Sequence, residues 1–187
     1  MKQRFLELLL SVVRRGIPKL PNYIENETDF FTAPASSQYH GAYAGGLVEH
    51  SLAVYENLVK VCSTFNIEVD NDSLIICGLL HDLCKANFYT VDFRNKKNEF
   101  GVWEKVPFYK IDDQLPFGHG EKSVMIIQKF IQLKDEEIAA IRWHMGSYDD
   151  AAKSYGGGQS LSAAMGKWKL VLALQMADMA ACYFDNK

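Results

Sequence analysis

Apolar residues recur along this chain mainly at helical spacing, and they mark six helical stretches with one interruption of a different character. The first stretch runs from about Gln3 to Arg15 and stops at Gly16 and Pro18. Pro21 to Ala44, polar, aromatic and proline-containing, reads as an irregular segment. A second helix begins near Gly45 and continues through HSLAVYENLVKVCSTF, with Leu47, Leu52, Val54, Tyr55, Leu58 and Val61 on its buried side. The third, DSLIICGLLHDLCK, takes Asp72 as its N-cap and has an almost unbroken apolar body. From Asn87 to Gly118 the period changes: FYTVDF and VWEKVPFYKI are β-branched and aromatic, separated by RNKKNEFG, which predicts a small hairpin. Helical signals return in EKSVMIIQKFIQ and in DEEIAAIRWHM, the latter with acids at its start. SYDDAAKSYGGGQS reads as a mobile loop. The last helix, about Leu161 to Phe184, is apolar nearly all round and is expected at the centre. The expected fold is all-α, a helical bundle with a small β-hairpin insertion, as one domain over residues 1–187.

Composition narrows the class. A chain of 187 residues with 48% hydrophobic and 23% charged residues can bury a sizeable core. Its net charge of -3 gives no general basic surface for an extended nucleic acid. Cys62, Cys77, Cys84 and Cys182 form no CxxC pair, and most lie in apolar helical runs, which fits a reducing, cytoplasmic setting. The opening MKQRFLELLLSVVRRG resembles a leader only briefly, because Glu7 interrupts it and Arg14 and Arg15 close it. Lys167, Lys169 and Asp178 break the most apolar run, so no membrane span is expected.

The chemistry lies in the placement of five histidines. His50 falls in the second predicted helix, His81 and Asp82 end the third, His119 opens the fourth, His144 closes the fifth, and Asp178 lies inside the last. Asp82 follows LIICGLL, and Asp178 sits in LVLALQMADMAACYF with no Lys or Arg within one turn. An ionised carboxylate in such surroundings costs several kcal/mol unless it is paired or bound to a cation. A divalent metal would satisfy both, since imidazole and carboxylate suit Zn, Fe, Mn, Ni or Co. His81 and Asp82 project about 100° apart if both are helical, so they share an ion only where the helix end abuts it. His40, in a loop beside Tyr39, reads as an ordinary surface or core histidine.

The order of His50, His81-Asp82 and Asp178 is similar to the H…HD…D signature of HD-domain phosphohydrolases. Within that superfamily, YHGAYAGGLVEHS, HDLCK, FGHGEKS and WHMG resemble the HD domain of bacterial 3′–5′ exoribonucleases, from about Phe31 to Ala181. The resemblance implies a helical bundle holding one or two metals, the first on His50, His81, Asp82 and Asp178. It implies a second on His119 and His144, with Asp82 as the bridge and Met145 where related domains often carry another histidine. Such exoribonucleases also carry a separate nucleic-acid-binding domain, for which 187 residues leave no room.

The function expected is metal-dependent hydrolysis of a phosphomonoester or phosphodiester, on a nucleotide or short oligonucleotide, by metal-activated water. Asp82 and Lys85 are the candidate catalytic residues, Lys85 either contacting the phosphate or serving as a solvated charge at the helix end. Asp149, Asp150 and the Gly156–Gly158 loop that follow His144 are weaker candidates for the cleft rim. The aromatic residues Phe88, Tyr89, Phe93, Trp103, Phe108 and Tyr109 read first as the hairpin's own small core and second as a platform for a base. A di-iron oxygenase and a non-catalytic metal-binding module are the competing classes.

Overall fold

The computed structural model describes residues 1–184. Eight α-helices and one hairpin follow in the order α1 Lys2–Leu10, α2 Lys19–Asn26, α3 Gly46–Thr64, α4 Asn71–Leu80, β1 Tyr89–Lys97, β2 Trp103–Ile111, α5 His119–Ile127, α6 Asp135–Trp143, α7 Tyr155–Lys167 and α8 Lys169–Tyr183. The all-α bundle with a small hairpin is therefore what the chain forms. The apolar α8 packs along α3 at its centre; α4 flanks α3, α6 flanks α8, and α5 lies against α6. Leu47, Val54 and Leu58 of α3 meet Leu170, Val171, Leu174 and Ala177 of α8 in one continuous core. No described helix is long and apolar enough to cross a membrane.

Several elements differ from the sequence expectation, each for a local reason. The first helix ends at Leu10, not near Arg15. The Val13 N–H donates to Asp72 Oδ2 at 3.1 Å and the Arg14 guanidinium bonds Glu137, so tertiary bonds draw this segment out of the helix. That leaves Asp72 bridging to the N-terminal segment, while Asp70 is the N-cap of α4 and accepts from the Ser73 N–H. Helix α2 occupies part of the stretch expected to be irregular; its Pro21 lies in the first turn, where a missing N–H costs no intrahelical bond. The glycine-rich segment expected as a mobile loop forms two short 3-10 turns and then the start of α7, whose N-cap Ser154 accepts from the Gly157 N–H. The expected last helix is two helices, α7 and α8, separated at Trp168 by one extended residue.

β1 and β2 pair antiparallel from Tyr89 opposite Ile111 to Lys97 opposite Trp103. The Asp112 N–H donates to the Phe88 carbonyl at 2.9 Å, closing the insertion at its base. The hairpin does not enclose an aromatic core of its own: Phe93 and Trp103 are 61% and 65% exposed. Arg94 and Lys97 instead lie over the rings of Phe108 and Trp103.

Candidate functional site

Three helices and two helix ends bring the six sequence-predicted ligands together. His50 comes from α3, Asp178 from α8, His119 from the first position of α5, and His144 from the residue that ends α6. α4 stops at Leu80; His81 is its C-cap and Asp82 already has a non-helical backbone, followed by a 3-10 turn over Leu83–Lys85. Leaving the helix there lets His81 and Asp82 face the same point.

Two glycines set the helix spacing behind this cluster. A Cβ on Gly78 of α4 would lie 2.6 Å from Tyr55 Cα of α3, so only glycine lets the helices carrying His50 and His81 approach so closely. A Cβ on Gly120 of α5 would lie 2.3 Å from the Arg142 carbonyl oxygen of α6, and this second close approach brings His119 and His144 to 5.1 Å between ring centroids.

Asp82 is the hub, and its two oxygens divide the cluster. Oδ2 lies 3.5 Å from Nε2 of both His50 and His81. Oδ1 lies 2.8 Å from His119 Nε2 and 3.5 Å from His144 Nε2. Asp178 Oδ1 completes the first group at 3.1 Å from His50 Nε2 and 3.9 Å from His81 Nε2. The side chain of Asp82 is 2% exposed and those of His81 and His144 fully buried, while His119 at 30% marks the open side.

Hydrogen bonds from the far ring atoms orient two of the imidazoles. His81 Nδ1 donates to the Gly78 carbonyl at 3.0 Å and His144 Nδ1 to the Ile141 carbonyl at 2.7 Å. In its neutral form, with Nδ1 protonated, each ring turns its Nε2 lone pair inward, the tautomer a metal requires. Among the described residues His144 Nε2 is buried with no hydrogen-bond partner nearer than Asp82 Oδ1 at 3.5 Å, and His50 and His81 point their Nε2 atoms at each other across 3.3 Å. Inward lone pairs beside two buried carboxylates form a donor set that fits a divalent cation. His50, His81 and Asp82 could hold an ion, and Asp82 with Cys84 and His119 forms an adjacent group.

Charge and burial oppose each other at these groups. Burial works to raise the pKa of Asp82, but Lys85 and the surrounding histidines outweigh it and hold the carboxyl well below its usual range. Asp178 is likewise held down, against burial, by His50. Burial pushes His50 toward neutrality, yet hydrogen bonds to the carboxylates of Asp178 and Asp82 raise it to about 9. His81 and His119 are lowered, chiefly by burial.

Lys85 is neither solvated nor at a regular helix end. Its ammonium bonds Asp82 Oδ2 at 2.7 Å with a side chain only 13% exposed, so Asp82 does have a local cation three residues away. Among the weaker candidates, Asp149 is engaged by Arg142, and Asp150 is an exposed partner of Lys153.

Three neighbours had no weight as site residues in the sequence. His40 stacks on His50 at 4.9 Å, and Cys182 Sγ lies 3.4 Å from His40 Nε2 and 3.7 Å from Asp178 Oδ1. Burial and the adjacent His50 lower His40 to about 4, which keeps it neutral. Cys84 Sγ lies 3.3 Å from His119 Nδ1, and burial pushes its thiol up to about 12. The signal for His40 was its place inside YHGAYAGGLVEHS; the cysteines gave none beyond their nearness in sequence to Asp82 and Asp178.

The chain is 28% identical over 96 residues, 49% of its length, to the dihydroneopterin 2',3'-cyclic phosphate phosphodiesterase of Methanocaldococcus jannaschii. The matched stretch spans 36% of that protein. No solved structure matches the chain. The HD-domain profile matches residues 47–171, a span holding every candidate ligand except Asp178. By that match, carried on the helices that converge at Asp82, the chain belongs to the HD-domain family.

Proposed function

We propose that this protein is a metal-dependent phosphohydrolase acting on a phosphomonoester or phosphodiester of a nucleotide or short oligonucleotide. The observation that carries the reading is the division of Asp82, one oxygen facing His50 and His81 and the other His119 and His144. In this reading His50, His81, Asp82 and Asp178 hold one divalent ion, and His119 and His144 hold a second with Asp82 shared. Such ions (Mn, Fe, Zn, Ni or Co) supply Lewis acidity toward phosphoryl oxygens and activate water near neutral pH.

The chain's own residues do the positioning. His81 and His144 are fixed through Nδ1, so their inward nitrogens need no reorientation during turnover. Lys85 spends one N–H on Asp82 and borders the cavity beside His119, where its other donors meet a phosphoryl oxygen. The Methanocaldococcus jannaschii relative, a phosphodiesterase by name, supports phosphoester chemistry. A net charge of -3 favours a small substrate, because a long polymer draws its affinity from many neutralised phosphates.

The test combines metal analysis of the purified protein with a panel of phosphomonoesters, cyclic phosphates and dinucleotides under each of the five metals. Hydrolysis with bound metal is expected, with both lost in Asp82→Ala and a partial loss in His119→Ala. A protein that binds no metal, or hydrolyses no ester in any metal, would overturn the reading. An iron-loaded protein that consumes oxygen instead would replace it with the oxygenase class.

A further inference from the structure

We propose that the β1–β2 hairpin is a self-association surface, on which a second copy of this chain docks face to face with its strands antiparallel. Side chains alternate along a strand and cross-strand partners share a face, so the register sorts the hairpin into two sides. One side carries Tyr89, Val91 and Phe93 of β1 with Trp103, Pro107, Tyr109 and Ile111 of β2; its other members are Asn95, Lys97 and Lys105. The opposite side is mainly charged, with Asp92 paired to Lys110 and Arg94 lying over Phe108. No described helix packs along either strand, and Val91, Phe93, Trp103, Pro107 and Ile111 are all exposed. An apolar sheet face left in water is costly, and a two-stranded hairpin without a packing partner is marginal. The surface is independent of the phosphohydrolase reading above.

The edges of the hairpin are closed to an added strand. The Asp112 N–H bonds the Phe88 carbonyl and the Asn98 N–H the Val102 carbonyl. Even-numbered residues therefore pair across the hairpin, and odd-numbered ones turn their backbone groups outward. At the middle of β1 the outward N–H of Phe93 is taken by Asp92 Oδ1 at 2.7 Å. Directly opposite, Pro107 has no N–H to offer. Docking falls to the apolar face, and an apolar sheet face is complementary to its own copy. An anionic lipid or a nucleic-acid backbone is opposed by Glu99 at the tip and by Glu104, both exposed. Two-fold stacking has two orientations. Tip to tip, it gathers Lys97 and Lys105 of both copies, which repel. Antiparallel, the register places Phe93 on its own equivalent and Trp103 over Ile111 of the second copy. Lys97 and Lys105 then lie over the rings of Tyr89 and Tyr109. Each tip meets the other copy's root, where Phe88 and Asp113 line the cavity beside His119. Strands of nine residues give a face of roughly 30 by 10 Å, so two copies bury about 1,000 Å², the lower bound of a specific interface.

Sedimentation velocity over a concentration series tests this. Wild type is expected to dimerise reversibly with a dissociation constant on the order of 10 µM, the weak end that so small an interface allows. Phe93→Glu, at an exposed position and with circular dichroism as the fold control, raises that constant about tenfold or more by burying an unpaired charge. The double variant Lys97→Ala/Lys105→Ala separates the orientations. Antiparallel docking loses its cation–π contacts and weakens by about tenfold, whereas tip-to-tip docking loses a repulsion and tightens. Wild type that stays monomeric to about 200 µM, or Phe93→Glu protein that dimerises like wild type, overturns self-association at this face. Tightening in the lysine variant overturns the antiparallel arrangement. Polyuridylate and phosphatidylserine vesicles are co-sedimented with wild type and Phe93→Glu. A monomer captured by either through Phe93 gives the face to that partner and overturns the proposal.

Discussion

Replacing Glu137 with alanine should destabilise the protein by about 3 kcal/mol, because it strips a half-buried arginine of its counter-charge. Glu137 is fully buried and accepts four hydrogen bonds: Arg14 Nη1 and Nη2 at 2.6 Å each, Ser73 Oγ at 2.6 Å, and the Lys134 N–H at 2.8 Å. These bonds tie the N-terminal segment and α4 to the first turn of α6, the helix that ends at His144. They cannot be summed, since removing one group affects all of them together. Breaking one side of a buried ion pair costs about 3–5 kcal/mol, and the 14% exposure of the Arg14 side chain places this case at the lower end. Against a total stability of about 5–15 kcal/mol, that is a large fraction. In urea, with a slope of about 2 kcal/mol/M, the midpoint falls by about 1.5 M. A double-mutant cycle with Arg14→Ala should give a coupling of at least about 1.5 kcal/mol, because the second substitution removes the stranded charge. A midpoint shift under about 0.5 M, or a coupling near zero, would refute the claim that this pair is buried and mutually satisfied.

Lys85→Ala should lower kcat/KM for phosphate esters by about ten- to a hundredfold, with bound metal not reduced when measured by elemental analysis; unchanged kinetics would leave Lys85 only its ion pair with Asp82. Gly78→Ala should cost about 1–3 kcal/mol by thermal melting and weaken metal affinity by titration, because the new methyl meets the Tyr55 backbone and parts α3 from α4. Asp70→Ala should cost about 1 kcal/mol of cap energy. Burial works to raise the Asp70 carboxyl, but bonds from Lys134 and Ser73 lower it from 3.8 to about 2. Its contribution is thus present above pH ~4 and lost as pH falls toward 2, so wild type and variant should converge in acid denaturation.

Much of the bundle was legible because its helices carry strong apolar periodicity and end at identifiable residues. α3 to α6 lie where Leu47, the LIICGLL run and the acids before Ile138 indicate. The site was legible for a different reason: Asp82 and Asp178 are carboxylates in apolar segments, and burial without compensation is too costly to be accidental. What escaped was set by tertiary partners. The departure of Val13 and Arg14 from helix depends on Asp72 and Glu137, 59 and 123 residues away. The compensation of Asp82 by Lys85 depends on the chain leaving α4 at His81, since a 3-10 turn carries the ammonium back to the carboxylate. His40 carried no periodicity of its own beyond its place in YHGAYAGGLVEHS, because it reaches His50 from a loop. Gly156 to Gly158 are poor helix formers read alone, yet Ser154 caps them and Leu161 and Ala164 anchor the helix in the core.

The bond between Phe88 and Asp112 gives the insertion a modular character. Because the two strands enter and leave the bundle at a closed root, residues between them can lengthen, shorten or drift in sequence without shifting the register of any helix. Phe88 and Asp113 flank that root and line the cavity beside His119. Under the proposed function, variation at the root would retune which compound is accepted while Asp82 and its histidines stay fixed. On that reading selectivity and chemistry are separately heritable in this scaffold, and hairpins exchanged at Phe88 and Asp112 are the natural starting point for redirecting it.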